Sequence, residues 1–232
     1  MPEDLLFQSE DRLLSAYVAR PEVAPAKAPG VLVLHEILGL TDGIRAVADR
    51  FARAGYVAMA VDLFAGQHRA VCMTRMLVGT VHNTLGHQGV RDTRRALEVL
   101  SELEGVDPAR LGAVGFCLGG TLAVAVACTD ERVKAIAPYY GFNPRPPEAV
   151  RRSCPVVGSY PEQDVTARQG QALEAELDAA GIPHDIKVYP GTRHSFATPG
   201  LTFDPVASVD AWNRVMRFFD EHVVGEPSAV SR

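Results

Sequence analysis

A basic surplus, paired cysteines and an amino-terminal apolar run are all missing from this 232-residue chain. Lys and Arg number 23 against 28 Asp and Glu, a formal net charge of −5, and no basic run contradicts that balance. This argues against a nucleic-acid partner or any other polyanion-binding surface. The four cysteines, at 72, 117, 128 and 154, are too few and too scattered for a disulfide framework. None forms a Cys-x-x-Cys pair, so a structural zinc site is not expected, and no other metal site is. The N-terminus, MPEDLLFQSEDRLL, carries acids where a secretory leader needs bases. The expectation is a soluble, cytoplasmic protein with reduced thiols. Composition is silent on oligomeric state.

One stretch imitates a membrane span: Leu111 to Thr129 holds no charge between Arg110 and Asp130. Gly112, Gly115, Gly119 and Gly120 interrupt its first half, and Gly costs ~1 kcal/mol against Ala inside a helix. A strand, a glycine turn and a buried helix fit it better. The rest of the chain alternates in the same way. Val31–His35 is a β-branched-rich run, Asp42–Ala54 has an apolar helical stripe closed by Gly55, and Val57–Val61 is a second strand. Val90–Leu103 reads as helix, Asp107-Pro108 as a turn, and Leu111–Gly115 as strand. A helix over Leu118–Ala127 and strands over Val133–Ala137 and Pro155–Ser159 follow. A helix over Ala167–Ala180, a strand over Asp185–Tyr189 and a helix near Pro205–Val223 end the series. This alternation predicts one α/β domain over residues 1–232, with a mainly parallel sheet flanked by helices on both faces. Residues 64–89 have little periodicity. They read equally as a cap over the crevice beyond the strand ends or as a surface connection.

Chemistry concentrates at Gly115-Phe116-Cys117-Leu118-Gly119-Gly120. A Gly-x-Cys-x-Gly between strand and helix has the spacing of a nucleophile elbow, where a strained central residue requires neighbours without Cβ. The strain lifts Cys117 clear of the sheet. The helix start would then favour a thiolate and stabilise an oxyanion. Cys72, Cys128 and Cys154 lack such surroundings and read as packing residues. An acid and then a base should follow the nucleophile. Asp164, after the Pro155–Ser159 strand, and His194, after the strand ending at Tyr189, fall on the same rim of the sheet. Asp164 could orient the imidazole and His194 could move the protons. Taken singly, Asp164 could be a turn or cap residue, His194 a loop histidine like His68, His82 or His87, and Glu162 is a competing acid. Glu36, at the end of the Val31–His35 strand, faces the same rim. A zinc His-Glu-x-x-His is ruled out there because Gly39 stands where the second His belongs.

Together these residues resemble the dienelactone hydrolase family of α/β hydrolases, from about Leu13 to Val223. The likeness rests on His35–Leu40, Asp62–Phe64, Gly115–Gly120, Tyr139–Gly141, Asp164 and Gly191–Phe196. It implies an α/β-hydrolase fold, a Cys117–His194–Asp164 triad, and Glu36 as the group that takes the thiol proton when substrate arrives. It also implies an oxyanion hole from the backbone N–H groups of Ile37 and Leu118. Substrate contacts are implied at Tyr139 and at Thr198, where family members carry a carboxylate-binding arginine. Either Arg69 or Arg75 is implied as a second such arginine. The expected activity is cysteine-dependent hydrolysis of small esters or lactones through a thioacyl-enzyme, without a cofactor. Two other readings use the same residues: a redox-sensing protein with Cys117 as its thiol, and a thioesterase or peptidase.

Overall fold

The computed structural model describes residues 2–23, 26–64 and 84–225. Eight strands form one sheet in the order β1-β2-β4-β3-β5-β6-β7-β8. Strands β1 (Glu3–Ser9) and β2 (Arg12–Ala19) make an antiparallel hairpin, and β2 pairs antiparallel with β4 (Val57–Asp62). From there the sheet is parallel through β3 (Ala28–Leu34), β5 (Val106–Phe116), β6 (Val133–Tyr139), β7 (Val156–Pro161) and β8 (His184–Tyr189). Helices α1 (Asp42–Arg53) and α5 (Pro205–Phe219) cover one face. The other face is covered by α2 (Gln88–Glu102), α3 (Leu118–Ala127) and α4 (Ala167–Ala180).

The buried side chains form two apolar layers, as a sheet covered on both faces requires. One layer packs Leu32, Leu34 and Met59 against Leu97, Leu122 and Leu173. The other packs Val31, Val33 and Val114 against Ile44, Phe51, Val215 and Phe219. Every residue of α3 is buried, so it needs no polar face. The uncharged Leu111–Thr129 stretch is therefore the end of β5, the turn at Cys117 and this central helix. Among the described residues no helix is long and apolar enough to cross a membrane.

Three details differ from the sequence expectation. The β1–β2 hairpin is absent from it, because Glu3, Asp4 and Arg12 break the apolar signal on a half-exposed edge. Asp107-Pro108 lies within β5 as an irregularity between two parallel registers, with Ala109 N–H donating to Asp107 Oδ1 at 3.0 Å. The last helix stops at Phe219 and continues as a π-turn over Asp220–Val224. Of residues 64–89, those from 65 to 83 lie outside the described residues, Arg69 and Arg75 among them.

A buried charge fastens the hairpin to the rest. Asp92, on α2 and fully buried, pairs with Arg12 and accepts from Ser9 Oγ at 2.6 Å and Gln88 Nε2 at 3.0 Å. Removing the carboxylate strands a largely buried guanidinium, a loss of about 3 kcal/mol. Asp92→Ala should therefore lower the urea midpoint with little change in slope. An unchanged midpoint would mean that the hairpin is held by its apolar contacts alone.

Candidate active site

The centre of the site is a turn that ordinary backbone avoids. Cys117 sits at φ 54°, ψ −111° between β5 and α3, a strained conformation for a residue with a Cβ. Its neighbours show why the flanks are glycine. A Cβ on Gly115 would lie 2.0 Å from the Gly119 carbonyl oxygen, and one on Gly119 would lie 2.3 Å from that of Leu34. The turn is thus pressed against the end of β3, where Gly119 N–H donates to His35 O at 3.1 Å. Cys117 N–H donates to Tyr139 O at 3.0 Å, which fixes the turn on β6 as well.

The backbone N–H groups of Leu118, at the start of α3, and Ile37, just after β3, lie close enough to the Cys117 sulfur to favour its charged form. They belong to two separate segments of the chain. Their effect on the thiol is outweighed. Burial first, and then the nearby Glu36 and Asp164 carboxylates, push the Cys117 thiol up to about 11. This corrects the thiolate expected from the helix start: the uncharged thiol is the resting form at neutral pH. Cys128 and Cys154 are also pushed up, each to about 12, by burial.

The acid and base belong to loops after neighbouring strands. Asp164, just past β7, accepts on Oδ2 from His194 Nδ1 at 3.1 Å. Its Oδ1 accepts from Thr166 N–H at 2.8 Å and Thr166 Oγ1 at 2.5 Å. Asp164 is therefore a turn residue and the partner of His194 at once. Burial works to raise its carboxyl, but the Thr166 hydrogen bonds and the charge of His194 outweigh it and hold it below the ordinary range. Glu162 is occupied elsewhere, accepting from Gly191 N–H at 2.9 Å. The loops are joined again by Glu162 N–H to Tyr189 O at 3.1 Å and Gln163 N–H to Thr192 O at 3.0 Å.

Glu36 is held from three sides. Beneath it, His35 is fully buried, accepts from Leu63 N–H on Nε2 at 3.1 Å, and so carries its proton on Nδ1, which donates to Glu36 O at 2.6 Å. Burial lowers the pKa of His35, which keeps the ring neutral. The Glu36 carboxylate accepts on Oε1 from Tyr140 Oη at 3.1 Å and from Thr198 Oγ1 at 2.8 Å. The Tyr140 ring also packs on His194, with centroids 4.8 Å apart, so one fully buried tyrosine touches both groups.

Two expected substrate contacts fall elsewhere. Tyr139 ends β6 in the core, stacked on Phe116 with ring centroids 4.7 Å apart, and past it the backbone of Tyr140 turns into the left-handed region at φ 41°. Tyr140, the next residue, is the one that reaches the site. Thr198 is buried against Glu36 and does not line the cleft at Cys117. That cleft has a volume of about 540 Å³ and runs from Ile37, Cys117 and Leu118 past Thr121 to Phe142, Arg145 and Gln169. Its described wall is mostly apolar and has one charged residue, Arg145, whose guanidinium has no carboxylate partner among the described residues. No sequence motif marks Arg145. Thr84 clamps its backbone, with Thr84 Oγ1 donating to Arg145 O at 2.5 Å and accepting from Arg145 N–H at 3.0 Å. No group of His, Cys, Asp and Glu among the described residues could hold a metal ion.

The model of the dienelactone hydrolase family matches residues 14–223. A protein of Saccharolobus solfataricus named "Putative carboxymethylenebutenolidase" is 29% identical, over 94% of this chain and 98% of its own length. One of the same name in Methylorubrum extorquens is 30% identical, over 93% and 79%. The crystal structure titled "Putative Dienelactone Hydrolase" from Klebsiella pneumoniae superposes with a TM-score of 0.83 at 26% identity, covering 96% of this chain and 99% of that one.

The uncharged resting thiol has a direct readout. Alkylation of Cys117 by iodoacetamide, taken as the difference between wild type and Cys117→Ala, should keep rising with pH and show no plateau by pH 9. A plateau near neutral pH would mean that the helix start prevails over burial and the two carboxylates.

Proposed function

Because this chain belongs to the dienelactone hydrolase family, we propose that it cleaves small esters or lactones through a thioacyl intermediate on Cys117. The observation that carries this reading is the strained turn that presents Cys117 beside the Leu118 and Ile37 N–H groups, on the rim where Asp164 holds His194 at 3.1 Å. Two such donors stabilise the oxyanion of a tetrahedral intermediate, commonly the largest single contribution in acyl transfer.

Substrate binding brings the carbonyl carbon to the Cys117 sulfur and its oxygen to the two N–H groups. The thiol proton passes to the Glu36 carboxylate as the S–C bond forms. When the tetrahedral intermediate collapses, the C–O bond breaks and the departing alkoxide takes up that proton. In a lactone the resulting hydroxyl stays tethered to the acyl group. Deacylation uses the other pair. His194, its Nδ1 proton engaged by Asp164, takes a proton from water on Nε2 as the oxygen attacks the thioester. The thiolate leaves, recovers the proton from His194, and the acid is released.

The high resting pKa of the thiol supports this order of events, since proton removal is deferred until a carbonyl is in place. A redox-sensing thiol has the opposite requirement, a low pKa and free access. Thioesters and activated amides would meet the same groups, and a substrate panel separates them from oxygen esters.

Turnover of p-nitrophenyl acetate and of a simple lactone should fall by more than about 10³-fold in Cys117→Ala. Ester turnover that survives this substitution, or that never exceeds buffer in the wild type, would sink the mechanism. Arg145 makes a second claim testable. With Arg145 the one charged residue of the described wall, kcat/KM for a carboxylated lactone should drop roughly 5- to 10-fold in Arg145→Ala. An uncharged lactone of the same size should be unaffected. Equal losses on both would make Arg145 a wall and not a charge contact.

A further inference from the structure

We propose that Thr198 is a positioning residue that holds the Glu36 carboxylate in place for Cys117. The inference rests on the function proposed above and assigns Thr198 a role other than substrate contact. Its hydroxyl donates to Glu36 Oε1 at 2.8 Å, whereas its contact with Ser195 O is long, at 3.4 Å. Of the acceptors around its one proton, the carboxylate oxygen at 2.8 Å is nearer than Ser195 O. Tyr140 Oη donates to the same oxygen at 3.1 Å. Among the described residues Glu36 Oε2 has no hydrogen-bond partner, and that oxygen is left for the proton of the thiol.

The surroundings explain why an anchor is needed. Beyond Glu36 lies a second cavity of about 340 Å³, bounded by Leu38, Thr41, Gly43 and Pro199 and separate from the cleft at Cys117. A carboxylate on a flexible side chain has room to turn into that space. Two hydrogen bonds to one oxygen remove this freedom before substrate arrives, which is the entropic part of orientation. Both anchors are neutral hydroxyls, so they orient the carboxylate without a full positive charge beside it.

Thr198 is itself well fixed. It is 8% exposed, and its N–H donates to Ser195 O at 3.3 Å. Thr202 Oγ1 donates to His194 O at 2.6 Å in the same loop. The segment that carries the base for deacylation therefore also carries the anchor for the base of acylation.

The test is steady-state hydrolysis of an uncharged ester by Thr198→Val, Thr198→Ser and Glu36→Gln, with the Glu36→Gln/Thr198→Val double variant closing the cycle. Thr198→Val should lower kcat about 10-fold, as for loss of a hydrogen bond to a charged group, with KM within about twofold. Thr198→Ser should restore the rate to within about twofold. In the Glu36→Gln background, adding Thr198→Val should change nothing further. A raised KM with kcat intact would make Thr198 a substrate contact, and an equal loss in the Glu36→Gln background would make its role merely structural. Either result overturns the proposal, as does a Thr198→Val enzyme as fast as wild type. If Thr198→Val does not fold, Tyr140→Phe reads the same carboxylate from its other donor, with the same cycle and the same outcomes. A wild type without Cys117-dependent turnover defeats the underlying reading instead. A normal wild type with an indifferent Thr198→Val defeats this inference alone.

Discussion

Everything at the site depends on how closely two pieces of backbone approach at Gly119. The carbonyl of Leu34 occupies the place where a side chain at 119 would begin, and the Gly119 N–H is bonded to the carbonyl of His35. This contact fixes the start of α3 against the end of β3. It thereby brings the N–H of Leu118 and the N–H of Ile37, residues far apart in the chain, close to one sulfur atom. It also sets Glu36 at the thiol, because Glu36 lies between His35 and Ile37. Strain at Cys117 is the accompanying cost, of order 1–3 kcal/mol for such a backbone conformation. The parallel sheet and its two apolar layers are what can sustain it.

The electrostatics follow from the same crowding. A sulfur enclosed by the turn loses water, and two carboxylates stand near it, so the charged form is suppressed despite two N–H donors. The donors therefore act on whatever negative charge arrives, be it thiolate or oxyanion, and do not create one at rest. Under the proposed mechanism such a site separates protection of the thiol from its use: the uncharged thiol resists the oxidation and alkylation to which thiolates are prone, and Glu36 supplies the means of activation.

Much of this was legible from residue order, and the exceptions have physical reasons. The elbow was visible because its sterics are local: Gly115, Cys117 and Gly119 must stand at fixed intervals, whatever the rest of the fold does. The parallel strands were visible because burial on both faces makes continuous apolar runs, as in Val31–Leu34. The hairpin was not, since Glu3–Ser9 and Arg12–Ala19 face solvent on one side and their short-range signal is diluted by charge. Tyr139 and Tyr140 illustrate a subtler limit. Which of two adjacent tyrosines reaches Glu36 is decided just past the end of β6, where the backbone of Tyr140 turns into the left-handed region at φ 41°. Thr198 and Arg145 owe their places to long-range contacts, with Glu36 and with Thr84, that no spacing rule encodes. The dominance of burial over the helix start at Cys117 was equally out of reach, because it depends on how tightly the turn is enclosed.

The loops after β7 and β8 are stitched together by Glu162 to Gly191, Glu162 to Tyr189 and Gln163 to Thr192, besides the bond between Asp164 and His194. Mechanically, these loops form a truss. A force on either is shared by both, so the imidazole and its carboxylate travel as one body and their separation is conserved while the cleft flexes. Among the described residues the opposite wall, from Phe142 to Pro147, has no such bracing to Asp164 or His194. Under the proposed mechanism, new substrate shapes can thus be accommodated on that side without retuning proton transfer, a division that leaves selectivity free to drift while the chemistry stays put.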